Sequence, residues 1–141
     1  MVSNKCEYAL RAVFELARYG DGEPKKSQEI ASAQGIPPRF LEIILVELRN
    51  AGFVLAKRGS GGGYVLARPA YEITVGQVIH LFQGLPSNGG SYDGYAGDYA
   101  FSNLWGRVQT AISQVCDKTT FDDLVQQEVL RMCGGVPDYV I

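Results

Sequence analysis

Apolar residues near the start of the chain recur at intervals of three and four positions, which predicts a helix with one buried face. Either Ser3 or Asn4 is expected to cap this helix, and Asn4 with Glu7 forms a variant of the capping box. Gly20 interrupts the pattern, so we expect the helix to stop there. The predicted apolar face consists of Tyr8, Ala9, Ala12, Val13, Leu16 and Ala17.

Two further helices joined by a tight turn are predicted next. Ser27 precedes a short helical pattern that Gly35 closes. Pro38 is favoured as the first residue of a third helix, because its missing N–H has no partner at that position. This third helix runs to about Asn50. Its predicted buried residues are Phe40, Leu41, Ile44, Leu45 and Leu48.

A hairpin with a basic tip is predicted after the third helix. Residues 53–56 and 64–67 are rich in β-prone side chains. They flank residues 57–63, which contain two basic residues and four glycines. Such a tip allows the backbone to lie close to another molecule without a clash of side chains.

Three more helices are predicted in the second half of the chain, and a long loop separates the first of them from the other two. Thr74 and Gln77 form a capping box that opens the fourth helix. Residues 85–100 are rich in Gly, Ser, Asp and Tyr and show no period, which indicates a loop. A fifth helix then ends near Asp117, and Thr120 caps a last short helix. The apolar stripe of the fifth helix consists of Phe101, Leu104, Trp105, Val108, Ile112 and Val115.

These elements predict a mainly α fold with a small β-hairpin. The expected organisation is a winged helix-turn-helix domain at residues 1–84, a flexible loop at residues 85–100, and a dimerisation helix with a C-terminal segment at residues 101–141.

Length and composition change this picture little. The chain has 141 residues, of which 46% are apolar and 20% charged, and this excludes a fibrous or wholly disordered protein. It has no apolar run long enough to span a membrane and no secretory signal at its start, so we expect a cytoplasmic protein without a membrane partner. Cys6, Cys116 and Cys133 are too far apart to indicate a disulfide framework or a zinc motif, and no metal or cofactor is predicted.

Charge is distributed unevenly along the chain. Residues 1–68 have ten basic and seven acidic side chains, whereas residues 69–141 have three basic and eight acidic ones. This uneven charge distribution suggests that the first half of the chain binds a polyanion and that the second half has another role.

The predicted elements are the parts of a winged helix-turn-helix, in which the third helix enters the DNA major groove and the hairpin contacts the backbone. A phosphate-binding nucleotide loop does not fit, because no Lys-Ser or Lys-Thr follows the glycines. No pair of side chains has the spacing of a catalytic site, so an enzyme is the weakest reading. The predicted DNA-binding residues are Ser27, Gln28, Pro38, Arg39, Phe40, Glu42, Ile43, Lys57, Arg58, Gly59, Ser60, Gly61 and Gly62.

Nearly the whole chain resembles the bacterial winged-helix regulators typified by IscR, NsrR and CymR. The residues that carry this resemblance are Lys5, residues 8–12, Ile30, Ala31, residues 35–37, Phe40, Leu41, residues 48–54, 58–69 and 72–74, Leu104, Trp105 and residues 120–124. The resemblance implies a homodimeric transcriptional regulator on a roughly palindromic double-stranded DNA operator, with the fifth helix crossing its mate. Independently, a stripe of six large apolar residues late in a small domain needs a partner surface.

The best-known members of these regulators carry an iron–sulfur cluster in the loop before the fifth helix. By resemblance, its ligands would fall near Ser87, Asp93, Tyr99 and Ser102, none of which is a cysteine. Because such clusters need thiolates, the chain resembles the cluster-free branch, of which CymR is the example. Members of that branch sense through a partner protein, a small molecule, or not at all.

The outward face of the third helix departs from the usual polar or basic pattern. Glu42 and Glu47 would repel phosphates, and Ile43 and Val46 offer only apolar contacts such as those to thymine methyl groups. Recognition of the DNA bases would then depend on Arg39 and its neighbours at the start of the helix. We therefore expect weak or degenerate DNA-sequence specificity. The alternative function is a winged-helix dimer that binds a protein or senses a ligand, with weak or lost DNA binding.

The loop tyrosines leave a second alternative open. Tyr92, Tyr95 and Tyr99 lie near Asp93 and Asp98, and they belong either to a mobile linker or to a patch for a ligand or partner.

Overall fold

Six α-helices and one antiparallel hairpin form the described part of the protein. The structure is a computed structural model that describes residues 2–20, 22–83 and 93–134. The elements are α1 (Asn4–Arg18), α2 (Ser27–Gln34), α3 (Pro38–Asn50), β1 (Val54–Lys57), β2 (Gly63–Leu66), a 3-10 turn (Ala70–Glu72), α4 (Val75–Phe82), α5 (Asp98–Cys116) and α6 (Phe121–Met132). This confirms the predicted mainly α fold with a small hairpin. No helix within these ranges is long and apolar enough to cross a membrane.

One of two predicted caps is confirmed for α1, and the predicted start of α2 is corrected. The Oγ of Ser3 accepts a hydrogen bond from the backbone N–H of Cys6 at 3.1 Å, so Ser3 caps α1 and the predicted pair of Asn4 and Glu7 does not. Ser27 is the first residue of α2, and the capping position is Lys26, whose side chain forms no capping bond. The turn between α2 and α3 agrees with the sequence, since Gly35 adopts a left-handed conformation that ends α2.

Phe40 is the exception on the predicted buried face of α3. Leu41, Ile44, Leu45 and Leu48 are fully buried, as expected, but Phe40 is 53% exposed. Its ring lies in the first turn of α3, with its centroid 6.4 Å from that of Tyr8 on α1. Phe40 therefore belongs to the outer surface of the helix-turn-helix.

The hairpin has a third pairing partner that the sequence did not indicate. Within the hairpin, Val54 pairs with Leu66 and Lys57 pairs with Gly63. Tyr64 also exchanges two backbone hydrogen bonds with Lys25, at 2.8 and 3.0 Å. The segment between α1 and α2 therefore anchors β2 at its first residues, next to the hairpin tip.

Helix α6 packs on the winged helix-turn-helix, although the sequence grouped it with the dimerisation helix. The side chain of Phe121 is fully buried in the same core as Leu45 and Val13. Its backbone N–H donates to the carbonyl of Ile73 at 3.0 Å. Helix α6 thus packs into the same hydrophobic core as the helix-turn-helix.

Replacing Phe121 with alanine is expected to destabilise the protein by about 3–5 kcal/mol, because a large aromatic side chain is removed from a fully buried site. Denaturant unfolding measures this loss. Phe40→Ala is the matched control, since the same side chain is removed from an exposed position and stability should change by less than about 1 kcal/mol. Equal losses for the two variants would contradict the placement of α6 in the core.

Helix α5 begins three residues before the predicted start and has no buried residue. The Oδ2 of Asp98 accepts hydrogen bonds from the backbone N–H groups of Asp93 and Tyr95, at 3.1 and 2.9 Å, and these bonds order the entry to the helix. Its apolar residues form one set, here called the α5 stripe: Phe101, Leu104, Trp105, Val108, Ile112 and Val115. Four members of the stripe are exposed and two are half-buried in the single chain.

Candidate nucleic-acid interface

The residues predicted to contact DNA lie at three places: the start of α2, the first turns and outer face of α3, and the hairpin tip. The exposed ones are Gln28, Pro38, Arg39, Phe40, Glu42, Ile43, Lys57, Arg58, Gly59, Ser60 and Gly61. Ser27 is half-buried and Gly62 is buried. Two exposed basic residues therefore stand at the hairpin tip, next to a backbone without side-chain bulk.

Gly62 shapes the hairpin tip from within. Its N–H donates to the carbonyl of Gly59 at 3.0 Å. A Cβ at this position would lie 2.8 Å from that carbonyl and would also collide with the carbonyl of Lys57. Only glycine fits at this position, so Gly62 has a structural role in the turn. The side chains of Lys57 and Arg58, in contrast, are exposed to solvent.

One of the two acidic residues on α3 is paired. The Nζ of Lys5, on α1, lies 2.7 Å from the Oε1 of Glu47, and both side chains are partly exposed. The ammonium offsets the carboxylate that was expected to repel phosphates. Sequence reasoning missed this pair because the partners are 42 positions apart. Within the described ranges, Glu42 forms no ion pair and remains an exposed negative charge.

A buried carboxylate fixes α2 against α1. Glu15 is buried, and its Oε1 accepts hydrogen bonds from the Nη1 of Arg18 at 3.0 Å and from the Nε2 of Gln34 at 2.9 Å. Gln34 is the last residue of α2, directly before the turn into α3. Because a buried charge is stable only when it is paired and hydrogen-bonded, this cluster holds the entry to α3 in one position.

The cysteines do not form a donor set for an iron–sulfur cluster. Burial, followed by the nearby charge of Glu7, raises the pKa of Cys6 to about 11, and burial also raises the pKa of Cys116. Cys6 lies on α1, Cys116 at the end of α5 and Cys133 just after α6, and within the described residues they belong to no group of three or more potential metal ligands. Cys133 is exposed and follows α6.

The positions that correspond to cluster ligands also lack suitable donors. Asp93, Tyr99 and Ser102 carry oxygen donors, and Ser87 lies outside the described residues. No group of three or more potential metal-binding His, Cys, Asp or Glu side chains occurs within residues 2–20, 22–83 and 93–134. The residues present therefore do not fit such a cluster.

A helix-turn-helix with an exposed second helix, followed by a basic hairpin, defines the class of winged-helix DNA-binding transcriptional regulators. Residues 2–127 match the Rrf2 family, which is described as iron-dependent transcriptional regulators. The chain belongs to the Rrf2 family. Its members are regulators of transcription rather than enzymes.

Individual relatives agree in sequence and in structure. The regulator CymR of Bacillus subtilis is 36% identical, over 87% of this chain and 88% of CymR. The solved structure of CymR, named as the global cysteine regulator of B. subtilis, has a TM-score of 0.80 and covers 90% of this chain and 97% of its own. The structure of T. potens IscR has a TM-score of 0.77 at 32% identity and covers 91% of this chain and 88% of its own.

Proposed function

We propose that this regulator acts as a homodimer on a roughly palindromic DNA operator and that it works without an iron–sulfur cluster. The observation that carries the proposal is the α5 stripe, which lies on a 19-residue helix with no buried residue. A single chain leaves this apolar surface in water, and a second copy would cover it.

The hairpin and α3 support DNA as the target. In a two-fold dimer, two copies of α3 would meet the major groove about 34–36 Å apart, which is one turn of DNA. Lys57 and Arg58, which are exposed, would contact the backbone on either side, and the exposed first turn of α3, with Pro38 and Arg39, would face the base edges. The start of α2, at Ser27 and Gln28, would contact a phosphate.

The absence of a cluster is supported by the donor chemistry. The chain has no cysteine between Cys6 and Cys116, so the segment before α5 has no thiol that could bind a cluster. Control of the protein would then pass through a small molecule or a partner protein rather than through iron.

A second candidate function is a dimer that binds a protein through α3. It is favoured by the exposure of Ile43 and Val46, two aliphatic side chains on the outer face of that helix. This function predicts that DNA binding is weak and insensitive to sequence.

Footprinting on the DNA upstream of its own coding sequence, combined with analytical ultracentrifugation, tests the proposal. We expect two protected half-sites separated by one DNA turn and two chains per duplex. Protein isolated without oxygen should have no iron and no absorption band in the visible region. A monomer on a single half-site would contradict the homodimer, and a brown protein with bound iron would contradict the cluster-free mechanism.

A further inference from the structure

The outer face of α3 has an aliphatic centre between polar ends. Residues 39, 43, 46 and 50 are separated by four, three and four positions, so they lie along one ridge of the helix. Ile43 is 54% exposed and Val46 is 42% exposed. Arg39 and Asn50 occupy the two ends of the same ridge and are exposed as well.

Helix formation alone does not account for these two residues. Isoleucine and valine have lower helix propensity than the straight-chain residues common on exposed helix faces, and their apolar surface faces water. Neither side chain belongs to the core around Leu41 and Leu45. Their apolar surface is therefore available to a partner that approaches α3.

The major groove offers a matching apolar group. Of the chemical groups that the base edges present there, only the C5-methyl group of thymine is aliphatic. Ile43 and Val46 are three residues apart, about 4.5 Å along the helix axis. Neighbouring base pairs are about 3.4 Å apart, so the two side chains would reach methyl groups on adjacent pairs. Both side chains are stiff at χ1, which favours contact with a group at one fixed place.

We propose that Ile43 and Val46 are specificity-determining residues that read the C5-methyl groups of thymines on adjacent base pairs in each half-site. This inference rests on the proposed action of the protein on an operator, and it names the base chemistry that α3 recognises. It replaces the expectation of degenerate specificity with a preference for A·T pairs at the centre of each half-site.

DNA is favoured over a protein partner by the surroundings of the ridge. Arg39 precedes Ile43 by one helical turn on the same ridge, and an exposed guanidinium at the first turn suits a guanine edge or a phosphate. Lys5 offsets the charge of Glu47 on the flank of the ridge at 2.7 Å. The hairpin, which follows α3 directly along the chain, adds the exposed cations of Lys57 and Arg58.

The test compares thymine with uracil, which differs from it only by the C5-methyl group. Duplexes are selected from a random-sequence pool by the wild-type protein and are then prepared with either thymidine or deoxyuridine. We expect the deoxyuridine duplex to bind more weakly by about fourfold for each methyl group lost, which corresponds to about 0.8 kcal/mol for one buried aliphatic carbon. Fluorescence anisotropy titrations measure both affinities.

The variants Ile43→Ala and Val46→Ala assign the effect to these residues. Each should bind the thymidine duplex more weakly than the wild type and should discriminate less between the two duplexes. Val129→Ala is the matched control, because Val129 is 53% exposed on α6, and it should keep the full discrimination. Thermal unfolding should be the same for all three variants, since each changes an exposed side chain.

The outcomes separate the two proposals. Equal binding of the two duplexes by the wild type overturns the reading of methyl groups and leaves the action on an operator intact. Discrimination that persists in both Ile43→Ala and Val46→Ala overturns the assignment to these residues. If the selection enriches no sequence, both the operator and the reading of methyl groups are overturned, and a protein partner for α3 is favoured.

Discussion

Replacing Leu104 and Trp105 together with glutamate is expected to convert the protein to a monomer and to weaken operator binding by about 10²- to 10⁴-fold. Both side chains are exposed members of the α5 stripe. In the proposed dimer each copy would bring two carboxylates into an apolar interface, where an unpaired charge is strongly unfavourable. In a monomer the two copies of α3 are no longer linked, so the two half-sites of the operator are bound independently. The gain in affinity from avidity is then lost.

Sedimentation equilibrium and anisotropy titration on the same samples measure the two effects. The matched control is Tyr71→Glu, which introduces the same charge at an exposed aromatic residue on the 3-10 turn, outside α5. This control should remain dimeric and should keep its affinity. A double variant of Leu104 and Trp105 that sediments as a dimer would show that the α5 stripe is not the dimer interface.

Replacing Lys57 and Arg58 together with alanine is expected to lower DNA affinity at low salt on the order of 100-fold or more. Both side chains are exposed at the hairpin tip, and the dimer would lose four cations. A charge-assisted hydrogen bond to a phosphate contributes about 1 kcal/mol or more. The salt dependence should weaken as well, because the slope of log K against log salt falls by about 0.9 for each phosphate contact removed.

Titrations over a series of salt concentrations measure both quantities. The control replaces Arg107 and Lys118, two exposed basic residues at α5 and just after it, so that the same net charge is removed far from the hairpin along the chain. We expect this control to keep most of the slope. An unchanged slope in the Lys57 and Arg58 variant would mean that the hairpin does not contact the DNA backbone.

The features that were predictable from the sequence are those determined by neighbouring residues. Thr74 and Gln77 form both bonds of the predicted capping box, at 3.1 and 3.2 Å, because the partners are three positions apart. Thr120 likewise caps α6 as predicted. Local periodicity also sufficed for the buried face of α3, apart from Phe40 at the first turn.

The features that were not predictable depend on contacts between distant parts of the chain. The pairing of Lys25 with Tyr64 is a backbone contact that no side-chain pattern reveals. The ion pair of Lys5 with Glu47 joins two helices whose relative position follows from the packing of the core. The apolar residues of α6 have the same period whether they face another copy of the protein or the chain's own core. The sequence therefore cannot tell the two arrangements apart, and it is the burial of Phe121 in the structure that shows α6 packed on the core.

The packing of α6 into the core of the helix-turn-helix has a consequence for how the protein is made. The hydrophobic core around Val13 and Leu45 is closed by Phe121, a residue that follows the helix-turn-helix, the hairpin and α5 along the chain. Domains commonly fold during translation once their own residues have left the ribosome. Here the core that supports the helix-turn-helix lacks Phe121 until α5 and the start of α6 have been made, so this core is completed well after the helix-turn-helix itself has left the ribosome.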